Sequence, residues 1–210
     1  MAELRIPDPV ERNDLGAFAA RAVRLEGDAI VRLRSGNGRV HAWVVTPFDT
    51  LVTRSVRGAM RPGDLTVRGA DLLAAVAVAG AAVVDPGREV DALWRSALPP
   101  EQGWREVDQV PAGVLADLAD QGAAVARDNP GPHGSPHTVL LDQKVITVSG
   151  AGFVVGVPLR CLFALSGMGF VGGHSAAETV RVSATDSWLR LDARYGAVIR
   201  RRHALLPLLV

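Results

Sequence analysis

Apolar positions change their spacing along this chain, and each change marks a new element. Leu15, Phe18, Ala19, Ala22 and Leu25 recur every three or four residues, the period of a helix with one buried stripe. Asp8 can cap that helix, Pro9 suits its first turn, Glu11 completes an Asp-x-x-Glu capping box, and Gly27 ends it. The period then shortens to two. Val31 and Leu33 alternate with Ile30, Arg32 and Arg34, and Val40, Ala42 and Val44 alternate with His41, Trp43 and Val45. Between these runs lie Gly36, Asn37 and Gly38, and an Asn-Gly pair readily takes the positive φ angles of a two-residue hairpin turn. A third strand is expected over 50–57 and a short fourth over 65–68. The apolar run 72–84 then predicts a buried helix around 70–79. At 13 residues it falls short of the about 20 that a membrane span needs.

Residues 85–103 hold Pro86, Gly87, Pro99, Pro100 and Gly103 around a short helical piece at 90–96, the composition of a boundary. Beyond it, Pro111, Val114, Leu115, Leu118, Ala119 and Gly122 predict a second amphipathic helix ending near Arg127. Three prolines make 129–137 a loop. Strands are expected over 138–148 and 153–157, turned at Gly150, Ala151 and Gly152. A helix from Pro158 would carry Leu159, Leu162, Phe163 and Met168 inward. The chain then reads as a meander over 179–184, 188–193 and 197–201. The sum is an α+β protein of antiparallel sheet and amphipathic helices, in two associated halves, 1–98 and 103–210.

Charge sorts by segment. From Ile30 to Arg68 seven arginines face only Asp49 and Asp64, whereas from Asp85 to Asp142 ten carboxylates face Arg88, Arg95, Arg105 and Arg127. The first stretch reads as strands and the second as mainly helix, which predicts an arginine-bearing sheet beside acidic helices. Net charge over the 210 residues is only +1, so no global field holds the molecule on nucleic acid or an anionic membrane. All but one of the 23 basic residues are arginine, the exception being Lys144, a bias that a GC-rich genome explains. The lone Cys161 precludes an intramolecular disulfide, and the first residues lack the basic and apolar regions of a secretory signal. A cytoplasmic protein is expected.

Motifs that could carry chemistry resolve into simpler structure. The strand before Gly150-x-Gly152 resembles a dinucleotide-binding turn, but β-branched Val154 and Val155 and then Pro158 follow where a helix must begin. A hairpin is expected instead, and no cofactor. His133 and His137 have a metal-ligand spacing, yet Gly134 and Pro136 exclude the helix that would align them, and a solvated loop is the simpler reading. Cys161 sits in an apolar run as a buried thiol, and Asp117 and Asp120 share an exposed helix face. No catalytic or metal-binding residue is assigned.

Gly103-Trp104, Val110-Pro111, the run from Val157 to Arg160, Ala164-Leu165, the run from Met168 to Phe170, Trp188 and Tyr195-Gly196 resemble a family of uncharacterised proteins from high-GC actinobacteria. The likeness covers about residues 103–200 and extends weakly to 6–9 and 31–34. It implies a bacterial cytosolic origin, and no activity, ligand or catalytic residue is carried over from it. The reading is therefore a non-catalytic protein-interaction or scaffolding protein, a homo-oligomer or the partner of another protein. Its apolar end, Leu205, Leu206, Leu208, Leu209 and Val210, would carry self-association. The alternative is a nucleic-acid binder using an arginine-rich β-hairpin, with Arg32, Arg34 and Arg39, and Arg54 of the neighbouring strand. An enzyme whose groups are gathered only by folding is the third reading.

Overall fold

Asn37 and Gly38 take φ angles of 54° and 72°, so the first hairpin closes as its sequence requires. Its strands, β2 (Ile30–Gly36) and β3 (Arg39–Val45), pair Arg32 with Trp43 and Arg34 with His41. The computed structural model describes residues 2–78, 82–128, 138–171 and 178–202. The chain divides into two compact units, Met1–Ala97 with the short piece Gly167–Gly169, and Leu98–Ser166 with Phe170–Val210.

In the first unit β1 (Glu3–Arg5) leads into α1 (Pro9–Leu25), whose first turn is capped by Asp8 accepting from Val10 N at 2.8 Å. Glu11 does not close a capping box; its carboxylate turns to Arg57, accepting from the backbone N at 3.2 Å and from Nε at 3.0 Å. After β2 and β3 come β4 (Leu51–Arg57), β5 (Ala59–Arg61) and β6 (Asp64–Arg68). The strands pair in the order β6-β2-β3-β4. Even-odd alternation buries Val31, Leu33, Val40, Ala42, Val44, Val52 and Val56 on one face, with Leu15, Phe18, Ala19 and Ala22 of α1 also in the core.

The predicted helix across 70–79 is shorter than the apolar run suggested. α2 spans Gly69–Val76, packs on α1, and buries Leu72 and Val76, while Val78 is exposed. Val83–Val84 is a strand, β7, which pairs with β1 in a small sheet of order β5-β1-β7. That sheet had no counterpart in the sequence reading. The helical piece expected at 90–96 is a single 3-10 turn, Asp91–Leu93.

The second unit opens with β8 (Arg105–Pro111) and α3 (Ala112–Asp128), which buries Ala112, Leu115, Ala119 and Gly122. The acidic stretch is thus part strand, with Glu106 and Asp108 on β8. The strand predicted from 138 is also corrected: Thr138–Leu141 forms a helical turn, α4, and β9 begins at Lys144 (Lys144–Gly150). β9 pairs with β10 (Phe153–Pro158) through Ala151 and Gly152, at φ 50° and 82°, so the Gly-x-Gly run is a hairpin turn. α5 (Leu159–Gly167) follows and buries every side chain from Leu159 to Leu165. Gly122 lets α3 approach it, since a Cβ there would collide with the Leu159 side chain. The meander β11 (Thr179–Ala184), β12 (Trp188–Ala193) and β13 (Gly196–Arg201) matches its predicted bounds to within a residue. It pairs in the order β13-β12-β11-β8.

Candidate interaction surfaces

Arg32, Arg34 and Arg39 of the first hairpin and Arg54 of β4 are held by their own unit. Arg32 grips Asp64 on β6 with both ends of its fork, at 2.8 and 2.7 Å, and Arg34 reaches the same carboxylate at 3.5 Å. The hydrogen bond from Arg32 outweighs desolvation and holds the Asp64 carboxyl below the usual carboxylate range. Arg39 donates to Ser55 Oγ at 2.7 Å and to its carbonyl at 3.0 Å. Arg54 faces the other way, opposite Ala42 in register, and pairs with Asp14 of α1. The expected patch therefore loses Arg54, and the ion-pair partners are Asp64 for Arg32 and Arg34, Asp14 for Arg54, and Glu11 and Asp8 for Arg57.

Three consecutive arginines at the end of β13, Arg200 to Arg202, are likewise engaged by their own unit. Arg200 donates to Asp142 at 3.0 Å, Arg201 lies 4.7 Å from the Trp188 ring, and Arg202 donates to the carbonyls of Thr185 and Val154, both at 3.0 Å. Asp142 also binds Arg160, whose guanidinium is buried, at 2.7 Å. Burial works against the charged form of Asp142, but the hydrogen bonds and charges of Arg200 and Arg160 prevail and hold its pKa down. Neighbouring Cys161 is fully buried, and desolvation pushes its thiol up to about 12. At neutral pH that sulfur is a packing atom and no nucleophile.

A groove of about 490 Å³ in the first unit brings together residues that the sequence keeps far apart. Ile30 from the start of β2 and Val45 from the end of β3 line it, with Thr46, Pro47 and Asp49 of the following turn. Glu26 and Asp28 come from the end of α1, and Leu93, Trp94, Arg95 and Ser96 from the stretch after the 3-10 turn. Its walls are fastened. Thr46 N donates to Thr50 O at 2.9 Å, Asp49 N to Thr46 O at 3.0 Å, and the two threonine hydroxyls lie 2.8 Å apart. Across the groove, Trp94 Nε1 donates to Ser96 O at 2.6 Å and its ring stacks beneath Arg32 at 5.8 Å. Val90 N and Asp91 Oδ1 complete the backbone bonds of Thr66 on β6, at 2.8 and 2.6 Å. Of the carboxylates here, the sequence singled out Asp49 only as one of two acids in the arginine-rich stretch, and Glu26 and Asp28 not at all. The usable signal was Leu93-Trp94, two large apolar residues inside a Pro/Gly-rich connector.

His133, His137 and the apolar end Leu205, Leu206, Leu208, Leu209 and Val210 lie outside the described residues. Among the described residues no group of His, Cys, Asp and Glu is placed to hold a metal ion, and no helix is long and apolar enough to cross a membrane.

With antiparallel sheet and a helix pair in the first unit, and a meander packed with helices in the second, the fold is similar to that of bacterial sliding clamps. The β sliding clamp of C. crescentus is 14% identical with a TM-score of 0.61, over 98% of this chain and 66% of the clamp. A putative DNA polymerase III beta subunit from Eubacterium rectale ATCC 33656 gives 12% and 0.63, over 97% and 66%. The DNA polymerase sliding clamp of Bacillus subtilis gives 12% and 0.57, over 99% and 66%. The chain thus spans just under two thirds of the length of these clamps. In sequence, residues 99–205, just over half of the chain, match the model of the domain of unknown function DUF8185, and the chain belongs to that family. Residues 1–96 match a second domain of unknown function, DUF8010. No curated protein sequence matches the chain.

Proposed function

We propose that this chain is a non-catalytic protein-interaction scaffold of the bacterial cytoplasm that associates with copies of itself. The observation that carries the reading is the fold: 97–99% of the chain follows proteins named as a subunit or sliding clamp of DNA polymerase, parts of a larger assembly. The disposition of its polar groups supports it. The conspicuous arginines and carboxylates serve as ties between elements, and the single thiol is held protonated. Sedimentation velocity over a concentration series tests the reading. A mass that rises with concentration, and falls when Leu205 to Val210 are deleted, is expected; a strict monomer throughout overturns self-association.

Nucleic-acid binding through Arg32, Arg34, Arg39 and Arg54 is the lesser reading. A phosphate would have to displace Asp64 from Arg32 and Arg34 and Asp14 from Arg54 before it gained either contact. Salt-sensitive retention of DNA that weakens in Arg32→Ala and Arg34→Ala would reverse this ranking.

A further inference from the structure

β8 ends the ladder of the second unit: it pairs with β11 and, among the described residues, with no strand on its other side. Such an outer side ordinarily presents alternate N–H and carbonyl groups to which a strand of another molecule can add. The register decides which groups β8 turns outward. Pro111 faces Thr179 and has no N–H, and the ladder bond beside them is Ala112 N donating to Glu178 O at 2.8 Å. Thr179 and Pro111 are therefore a pair without mutual hydrogen bonds, and their remaining backbone groups point away from each other. Gln109, two residues back and opposite Arg181, has the same phase, so its N–H and carbonyl also point outward. These outward groups are short of donors. Gln109 N already donates, at 2.8 Å, to Oδ1 of Asp108, the residue before it. Pro111 has no N–H to give. Further back the strand bulges at Val107, which is skipped between the pairs Asp108–Val182 and Glu106–Ser183, and the Val107 carbonyl is closed off by Gly150. From Gln109 to Pro111 the outer side thus offers carbonyls and a single N–H that is taken.

We infer that Asp108 is a latch on this strand: its carboxylate keeps a second copy of the chain from adding to β8, so that copies meet through side chains with the backbone ladder closed. An arriving strand needs donors and acceptors in alternation, and its own carbonyls go unpaired where β8 has no N–H to offer. To gain the Gln109 N–H it must displace a carboxylate, and a bond to an ionised acceptor is about twice as strong as one to a neutral carbonyl. Because Asp108 is exposed and adjacent in the chain to the group it occupies, the latch closes within one copy and needs no partner. The inference rests on the reading that copies associate, and adds to it the mode of contact.

Amide hydrogen exchange and sedimentation velocity on the full chain, each over a concentration series, test the latch. In the parent the Gln109 amide should exchange at one rate at every concentration. Asp108→Ala removes the acceptor, so at low concentration that amide should exchange about tenfold faster. As concentration rises it should slow again, while the sedimenting mass climbs above the parent's at the same concentration. Asp108→Asn keeps a side-chain oxygen for the same bond and should sediment as the parent does. Asp117→Ala removes an exposed charge from α3 and should also match the parent. Adding Pro111→Ala to Asp108→Ala supplies a second outward N–H and should strengthen the association. The latch is overturned if Asp108→Ala sediments as the parent does throughout, or if Asp108→Asn or Asp117→Ala gains as much mass as it. Circular dichroism establishes that each variant is folded. Deleting Leu205 to Val210 separates the two readings. A parent that is a strict monomer, with Asp108→Ala associating even after the deletion, removes self-association and leaves the latch standing. A parent that associates, with no gain in Asp108→Ala, does the reverse.

Discussion

Each unit has a carboxylate that gathers two guanidiniums, but the surroundings differ. Asp64 joins Arg32 and Arg34 across neighbouring strands where all three side chains are 29–44% exposed. Asp142 joins Arg200 to Arg160, whose side chain is only 5% exposed. An exposed pair exchanges water for a partner of similar worth and contributes about 0–1 kcal/mol. A buried guanidinium has already lost its water, so its charge depends on what the protein supplies, and removing a partner costs about 3–5 kcal/mol. Asp142 also ends α4, its N–H donating to Thr138 O at 2.9 Å. The same three-residue arrangement thus arranges surface charge in one unit and compensates a buried charge in the other.

Asp142→Ala tests that contrast most severely. It should cost about 3 kcal/mol in urea titration, toward the low end of the buried range because Asp142 itself is half exposed. A cost no larger than that of Asp64→Ala would erase the distinction between the two hubs. A second contrast concerns backbone approach. Gly150 abuts Val107 O of β8, and Gly58 abuts Arg5 O of β1, with no room for a Cβ at either. Because a carbonyl cannot swing aside as a side chain can, Gly150→Ala should cost about 1–3 kcal/mol, and Gly58→Ala a similar amount. Differential scanning calorimetry reads both.

Acid titration sharpens the comparison further. Asp142 and Asp64 are both held below their ordinary value of 3.8, so the native state keeps them charged after the unfolded chain has begun to take up protons. The stability they add is complete above that value and is lost as pH falls through their lowered folded pKa values. Asp142→Asn should therefore flatten the acid limb of the stability curve, and an unchanged limb would count against its ion pairs. Asp64→Ala should cost about 0.5 kcal/mol, an effect that shrinks in high salt. The smallest signal concerns Cys161. With its thiol at about 12 and no exposure, iodoacetamide should leave the native protein unlabelled by mass spectrometry and label it once urea unfolds it.

Elements with strong local chemistry were legible in the sequence. Asp8 and Pro9 mark α1, Asn37 and Gly38 mark the first hairpin, and the meander shows in its alternation. Short strands were not, because β1, β5 and β7 have two or three residues each and exist only through partners distant in the chain. Thr138–Leu141 misled for a different reason: four residues are too few to separate a helical period from an extended one, and Thr and Val favour strands. The arginines were legible as a group and misleading as a surface, since a sequence shows a charge without showing its partner. The groove drew on three segments, 26–30, 45–49 and 93–96, that only folding brings together.

The connector after β7 does more than join the two units in series. By bonding to both backbone groups of Thr66 through Val90 N and Asp91 Oδ1, it seals the outer rim of β6, where a foreign strand could otherwise dock and seed polymerisation. Loss of the Asp91 carboxylate would therefore endanger solubility, and should first show itself as turbidity.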